Sequence, residues 1–346
     1  MTYLLVGQGI AGSMLAWALR RRGAAVHLAD AGFPHRSSDI AAGIINPVTG
    51  KRFVKSWRFD AFYPAALAAY RAMEAEWGVR IWHEQPILRF LENAQEHNDW
   101  SLRMADPAYA DLLDERSDAG AWSELLAPAI GLGHIRKAGR ADLPLILRHV
   151  KETAVSEGRF FAETLPYEQA EARLGQYDGI IWCEGYRGAQ NPFFPGLPWQ
   201  LAKGEALLIG IDHPKADAAA EMIKKNVIAV PLGERLFWVG GSYNWTFEDN
   251  GPTAAEQEFL ETRLATMLHA PYRVVRRMGG VRPTVKDRRP FLGASPVRPG
   301  MYIFNGLGTK GALLAPYWAA HLAAHLLDGT PMDPSVDIRR FNTENP

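Results

Sequence analysis

The stretch LLVGQGIAGSMLAWALRRRGAAVHL, Leu4 to Leu28, with Asp30 just beyond it, reads as the opening of a dinucleotide-binding βαβ unit. A short apolar strand, Tyr3–Val6, runs into glycines at Gly7, Gly9 and Gly12, the spacing GxGxxG, and a helical pattern follows. Gly7 allows the tight turn, Gly9 lets the backbone approach a pyrophosphate, and Gly12 lets the helix pack close on the sheet. The pyrophosphate then lies at a helix N-terminus, where unpaired N–H groups and the helix dipole favour an anion. Asp30 ends the second strand, Ala25–Ala29, where its carboxylate is expected to take both hydroxyls of an adenosine ribose. An arginine there would have indicated a 2′-phosphate. By itself this unit does not choose between NAD and FAD.

Outward from that unit, 346 residues suffice for two closely packed domains or one large one. Lysine plus arginine and aspartate plus glutamate both total 38, so no basic field exists to hold nucleic acid non-specifically. The single cysteine, Cys183, has no internal disulfide partner and fits a reducing compartment. No apolar run reaches membrane-spanning length and no leader precedes the first strand, so the expected location is cytoplasmic. Of the tryptophans, Trp57, Trp77, Trp82, Trp238 and Trp245 are expected mostly in the core.

Beyond Asp30, GFPHRSSDIAAGIINPVTGKR is too rich in Gly, Ser and Pro for a simple connection, and loops of that length are often functional. Apolar residues at helical spacing predict a helix over 59–77, and a helical, exposed stretch is expected over 105–126. Asp142 is placed to cap a helix whose first turn holds Pro144. QYDGIIWCEG predicts a buried strand, and GEALLIGID, NVIAVPLG and RLFWVGGSYNW predict three more. TAAEQEFLETRLATML reads as a helix, and the C-terminal segment as strand, glycine turn and helix. The expected class is α/β, a Rossmann-like domain with an inserted mixed-sheet α+β substrate domain. The first is assigned residues 1–55, 138–192 and 276–346, the second residues 56–137 and 193–275.

In order, GQGIAG with Asp30, the loop with Ser37, Ser38 and AAGIINP, ADLPLILRHV, YDGIIWCEG, GGVRPTVKDRRPFLG and NGLGTKGALLAP span nearly the whole chain. Together they resemble the FAD-dependent oxidoreductases of the D-amino-acid oxidase, glycine oxidase and sarcosine oxidase superfamily. The resemblance implies FAD held by Gly7, Gly9, Ile10, Ala11, Gly12, Asp30, Ala31, Ser37, Ser38, Ala42, Gly43, Ile44, Leu165, Cys183, Gly185, Arg282, Gly306, Leu307, Gly308, Thr309 and Lys310. The chain departs from the family in three places. Asp30 stands where Glu is common, no His accompanies Gly308-Thr309-Lys310, and no Cys occupies a covalent attachment position, so non-covalent FAD is expected.

The flavin carries the hard step while the protein holds and tunes it. The resemblance implies hydride transfer from a carbon bearing an amine to flavin N5, imine hydrolysis, and reoxidation by oxygen or another acceptor. Arg282 in VRPTVKD matches the position that grips a substrate carboxylate in many relatives, a task suited to a planar guanidinium fork. Its other reading is an ordinary ion pair. Lys310 in GLGTKG either adds positive charge where the flavin gains negative charge or points to solvent. Tyr243 and Trp245, two apart on the expected strand, face either the substrate or the core. Lys51, Arg52 and Lys55 line the flavin or form a solvated loop. His321 and His325 are spaced like metal ligands but lack a third ligand, so no metal is expected.

The activity expected is oxidation of a small amine or amino acid. Two alternatives are a dehydrogenase acting on a hydroxy acid or another C–H donor, and a flavoprotein of tRNA modification, which the zero net charge disfavours.

Overall fold

In the computed structural model, which describes residues 1–341, two large β-sheets organise the chain. The opening unit forms as its pattern predicts, with strand Thr2–Val6, helix Ile10–Arg21 and strand Ala25–Ala29. Residues 10–19 of that helix are all buried. A helix apolar on every side needs cover on every side, and this one packs against both Leu143–Ser156 and Gly311–Asp328.

The six-stranded sheet runs Phe160–Phe161, Ala25–Ala29, Thr2–Val6, Gly179–Trp182, Met301–Asn305, Phe291–Ala294. All its pairs are parallel except the last. The eight-stranded sheet runs Tyr272–Arg282, Ala202–Ile211, Leu236–Gly240, Ile228–Gly233, Met222–Lys224, Ile87–Leu91, Gly131–Ile135, Leu113–Arg116. It is antiparallel but for the pairing of Met222–Lys224 with Ile87–Leu91. The molecule is thus mixed α/β, and the sheets come from interleaved parts of the chain.

Two of the expected segment boundaries move. Strand Tyr272–Arg282 stays paired with Ala202–Ile211 along its whole length, so a division at 275/276 would cut it. Phe193 and Phe194 are buried with Trp182 and Met301 against the smaller sheet, so the chain leaves that sheet after them, not at 192. Residues 342–346 of the last expected segment lie outside the described residues.

The helix expected over 105–126 is also absent. Short 3₁₀ turns at Pro107–Tyr109 and Gly120–Trp122 flank the strand Leu113–Arg116. Leu112, Leu113, Trp122 and Leu125 are buried, which puts apolar residues side by side rather than at helical spacing. Pro107 and Gly120 punctuate the segment as they would any loop.

Local rules explain the remaining helices. Asp142 caps Leu143–Ser156 by accepting from Leu145 N at 3.1 Å, with Pro144 in the first turn as expected. The C-terminal helix contains Pro316, which has no N–H to give the carbonyl of Ala312 four residues earlier. The hydroxyl of Tyr70, wholly buried on helix Phe59–Trp77, donates to that carbonyl at 2.5 Å. His321 Nε2 accepts from Asp333 N at 3.0 Å and His325 Nδ1 lies 2.8 Å from Thr330 O, so both serve the turn after this helix. Among the described residues no acid and histidine cluster suits a metal.

Candidate active site

Between the two sheets lies a cavity of about 490 Å³, bordered by both glycine turns and by the inner face of the larger sheet. At one end the GxGxxG turn is fixed by contact with strand Gly179–Trp182. Gly7 has φ +99°, and a Cβ there would sit 2.5 Å from Cys183 O. A Cβ at Gly12 would overlap the carbonyl oxygen of Gly7, so Gly12 packs behind the turn and does not border the cavity. Gln8 is buried and locks the turn from behind, its Nε2 donating to Ser13 Oγ at 3.0 Å and Leu147 O at 2.7 Å. Ile10 N donates to Ser38 Oγ at 3.0 Å, which joins the following loop to the helix start. The N–H groups of Ala11 and Gly12, in the first turn, have no intrahelical acceptor and lie at the positive end of the dipole.

Asp30 borders the cavity with its carboxylate already engaged. It accepts from Gln8 N and Gly32 N, each at 2.6 Å, and from Arg36 Nη1 at 3.1 Å. Arg36 also bridges to Asp39 at 2.7 Å. Burial works against the Arg36 charge, yet the two carboxylates outweigh it and hold its pKa above the usual value. Arg187 lies 3.8 Å over the Phe33 ring at the same end, both bordering the cavity. Glu184 also borders it, accepting from Asn191 Nδ2 at 2.7 Å and Tyr167 OH at 3.2 Å; burial raises its pKa against those bonds.

The other end is built on the larger sheet. Strand Ala202–Ile211 sets Gly204, Glu205 and Ala206 against the cavity, and its partner Tyr272–Arg282 brings up Arg282. The Arg282 guanidinium lies over Gly204, where any Cβ would overlap it, and only 3.1 Å from where a Gly241 Cβ would be. Its Nη1 donates to Ser242 O at 3.0 Å and, at 3.4 Å, to Lys203 O. Among the described residues it has no carboxylate within 4.0 Å, and burial lowers its pKa, with the Tyr243 phenol pulling the other way. A desolvated cation satisfied only by carbonyls retains donors for an anion. The buried acid Glu205, on the neighbouring strand, is committed elsewhere, to Thr253 N at 2.7 Å and Lys203 Nζ at 3.1 Å.

Most site residues expected from sequence meet at this cavity: Gly7, Gly9, Ile10, Ala11, Asp30, Ala31, Ser37, Ser38, Ala42, Gly43, Ile44, Leu165, Cys183, Gly185, Tyr243, Arg282, Leu307, Gly308 and Thr309 all border it. Gly306 lies behind, its φ of +73° turning the chain beside Val285 and Phe291. Lys310 does not reach the cavity surface. Its Nζ donates to Ser56 Oγ at 3.0 Å, and burial, with Arg288 nearby, lowers its pKa. The positive charge expected at this end is therefore not placed by Lys310. Lys51, Arg52 and Lys55 also stay off the cavity, and Lys55 pairs with Asp60 at 2.7 Å.

Tyr243 and Trp245 are not strand residues, because the strand ends at Gly240 and both side chains are exposed beyond it. The Trp245 ring is therefore surface rather than core. Residues missed from sequence include Arg36, Arg187, Glu184 and Trp238. Trp238 Nε1 donates to Ile40 O at 2.8 Å and ties the larger sheet to the loop after Asp30. Only the long irregular loop itself had signalled that region.

The cavity's chemistry suits an adenine dinucleotide with an isoalloxazine ring. A helix N-terminus and an acid border the cavity, and so do the apolar side chains of Ile44, Ile228, Leu307 and Ala312.

Comparison with known proteins agrees. The family model described as FAD dependent oxidoreductase (DAO) matches residues 3–326. The chain is 24% identical to a glycine oxidase of Pseudomonas aeruginosa, with 96% of each covered. It is also 24% identical to the tRNA 5-methylaminomethyl-2-thiouridine biosynthesis bifunctional protein MnmC of Idiomarina loihiensis, covering 93% of this chain and 55% of that protein. Among solved structures, glycine oxidase from Geobacillus kaustophilus superposes with a TM-score of 0.77 at 19% identity, covering 98% of this chain and 97% of the other. A match over residues 3–326, with the βαβ unit, cavity and acid in their expected places, establishes that this chain belongs to the DAO family of FAD-dependent oxidoreductases.

Proposed function

We propose that this enzyme oxidises a small amine or amino acid that carries a carboxylate. The observation that carries the reading is Arg282, a half-buried guanidinium at the cavity wall with no carboxylate within 4.0 Å among the described residues. An arginine in that state is stabilised by a planar anion, and a carboxylate meets its donor fork with two parallel bonds. Similarity to the Pseudomonas glycine oxidase supports the same substrate class.

FAD, when bound, supplies the acceptor for a hydride leaving the carbon that bears the amine. The residues do the rest. Gly9, Ala11 and Ser38 would hold the pyrophosphate and Asp30 the ribose, while the turn Leu307–Thr309, which lines the cavity, would border the flavin. Arg282 fixes the substrate by its carboxylate so that the amine-bearing carbon lies over the apolar floor. Water then hydrolyses the released imine to a carbonyl compound and ammonia. On this reading residues 1–55, 138–201 and 283–341 form the cofactor unit, and the segments between form the substrate unit.

The test is an anaerobic screen in which small amines, amino acids and hydroxy acids are mixed with the purified flavoprotein and bleaching of the flavin is followed. Amino carboxylates should bleach it and hydroxy acids should not.

A second reading, oxidation of an amine carried on tRNA, draws on similarity to MnmC, of whose length this chain spans about half. Salt-sensitive binding of tRNA by the purified protein would favour it.

A further inference from the structure

Two aromatic side chains stand where the cavity meets solvent. Tyr243 is 44% and Trp245 48% exposed, and their rings meet edge to face with centroids 4.8 Å apart. Tyr243 borders the cavity with its ring 5.2 Å from Arg282 Cζ, and Trp245 is the next ring outward. Neither belongs to any of the three hydrophobic cores.

Their backbone is tightly held. Asn244 and Lys203 exchange two backbone hydrogen bonds, at 2.8 and 2.9 Å. Ser242 Oγ accepts from Glu205 N at 3.0 Å. Further along, Lys203 Nζ donates to Asp249 at 3.0 Å and Asn250 Nδ2 to Tyr186 OH at 2.8 Å. A well-anchored segment therefore displays two large rings to water beside a guanidinium that has no carboxylate within 4.0 Å among the described residues. Exposed apolar surface next to a ligand cavity marks a binding surface more often than an accident of folding. Trp245 Nε1 also has no acceptor among the described residues, which leaves a donor free at the outer edge.

Resting on the reading of Arg282 given above, we infer that Tyr243 and Trp245 form an outer subsite for a planar aromatic ring carried by the substrate. Arg282 takes the carboxylate and the ring pair takes the far end of the same small molecule. The preferred substrates are then ring-bearing amino carboxylates rather than compounds of glycine size.

The experiment uses the FAD-loaded protein and two carboxylates that cannot be oxidised as amines, acetate and indole-3-acetate, titrated while the flavin absorption spectrum is followed. Wild type should bind indole-3-acetate more tightly than acetate. Trp245→Ala should weaken the aromatic ligand roughly two- to tenfold, the size of an aromatic pair contact, and leave acetate unchanged. Trp245→Phe should restore most of the loss, which a fold defect would not allow. Equal affinities in wild type, or an equal loss for both ligands in Trp245→Ala, would overturn the subsite. So would salt-sensitive tRNA binding that depends on Trp245 in a protein that does not discriminate the two small carboxylates. The amine-oxidation reading fails separately: ligand discrimination in a protein whose flavin no amine bleaches leaves the subsite standing and removes the reaction.

Discussion

The guanidinium of Arg282 occupies the space that a side chain at Gly204 would fill, so the glycine on one strand sets the position of the arginine on its neighbour. Gly204→Ala must therefore push the guanidinium out of place. Affinity for carboxylate ligands should drop at least tenfold while FAD stays bound. Arg282→Ala should cost such ligands roughly 2–5 kcal/mol, the range for removing one member of a desolvated charge pair. Spectral titration with a small carboxylate checks both, and unchanged affinity in Arg282→Ala would remove this residue from the site.

At the opposite end, Asp30 ties the glycine turn to Arg36 through one carboxylate. Asp30→Asn keeps the shape but loses a charge-assisted acceptor, worth about 1.5–3 kcal/mol. FAD affinity should fall by roughly ten- to a hundredfold, read as flavin released on dilution or gel filtration.

Tyr70 gives the carbonyl of Ala312 the hydrogen bond that Pro316 cannot. Tyr70→Phe leaves that carbonyl buried and unpaired at the start of the C-terminal helix. Denaturant unfolding should show a loss of about 1–3 kcal/mol. Ala312 borders the cavity, so FAD affinity should fall in the same variant.

His83 sits opposite Arg140 in a separate three-stranded sheet of Ile44–Ile45, Gly139–Ala141 and Trp82–Glu84, and burial, reinforced by Arg140 and Arg80, lowers its pKa to about 4. Burial lowers His321 as well. His83 is neutral in the fold down to about pH 4 but takes up a proton when unfolded below about pH 6.5, and the lowered His321 acts in the same direction. Between those limits the unfolded state binds more protons, so stability falls as pH drops from about 6.5 toward 4 and is unaffected above about 7. Thermal melts across that range should show the decline, and His83→Gln should reduce it.

The opening unit was legible because its rules are local: glycine spacing, strand and helix periodicity, and an acid at a fixed place. The same holds for the Asp142 cap. What sequence left unread depends on pairings between distant segments. Arg36 acquires its role by folding back on Asp30 from an irregular loop. The 105–126 stretch becomes a strand between turns because the larger sheet recruits it, overriding a pattern read as helical. Lys310 follows a motif, yet its long side chain turns to Ser56, a choice no spacing records. Tyr243 and Trp245 leave the expected strand because pairing stops at Gly240, before either side chain.

The central claim is that an unneutralised Arg282 selects amino carboxylates for oxidation by the bound flavin. Anaerobic bleaching of the flavin by a panel of amino acids, matched amines without the carboxylate, and hydroxy acids tests it most directly. The account predicts rapid bleaching by amino carboxylates in wild type and its loss at low substrate concentration in Arg282→Ala. Bleaching by hydroxy acids alone, or by amines with and without a carboxylate equally in both proteins, would contradict it.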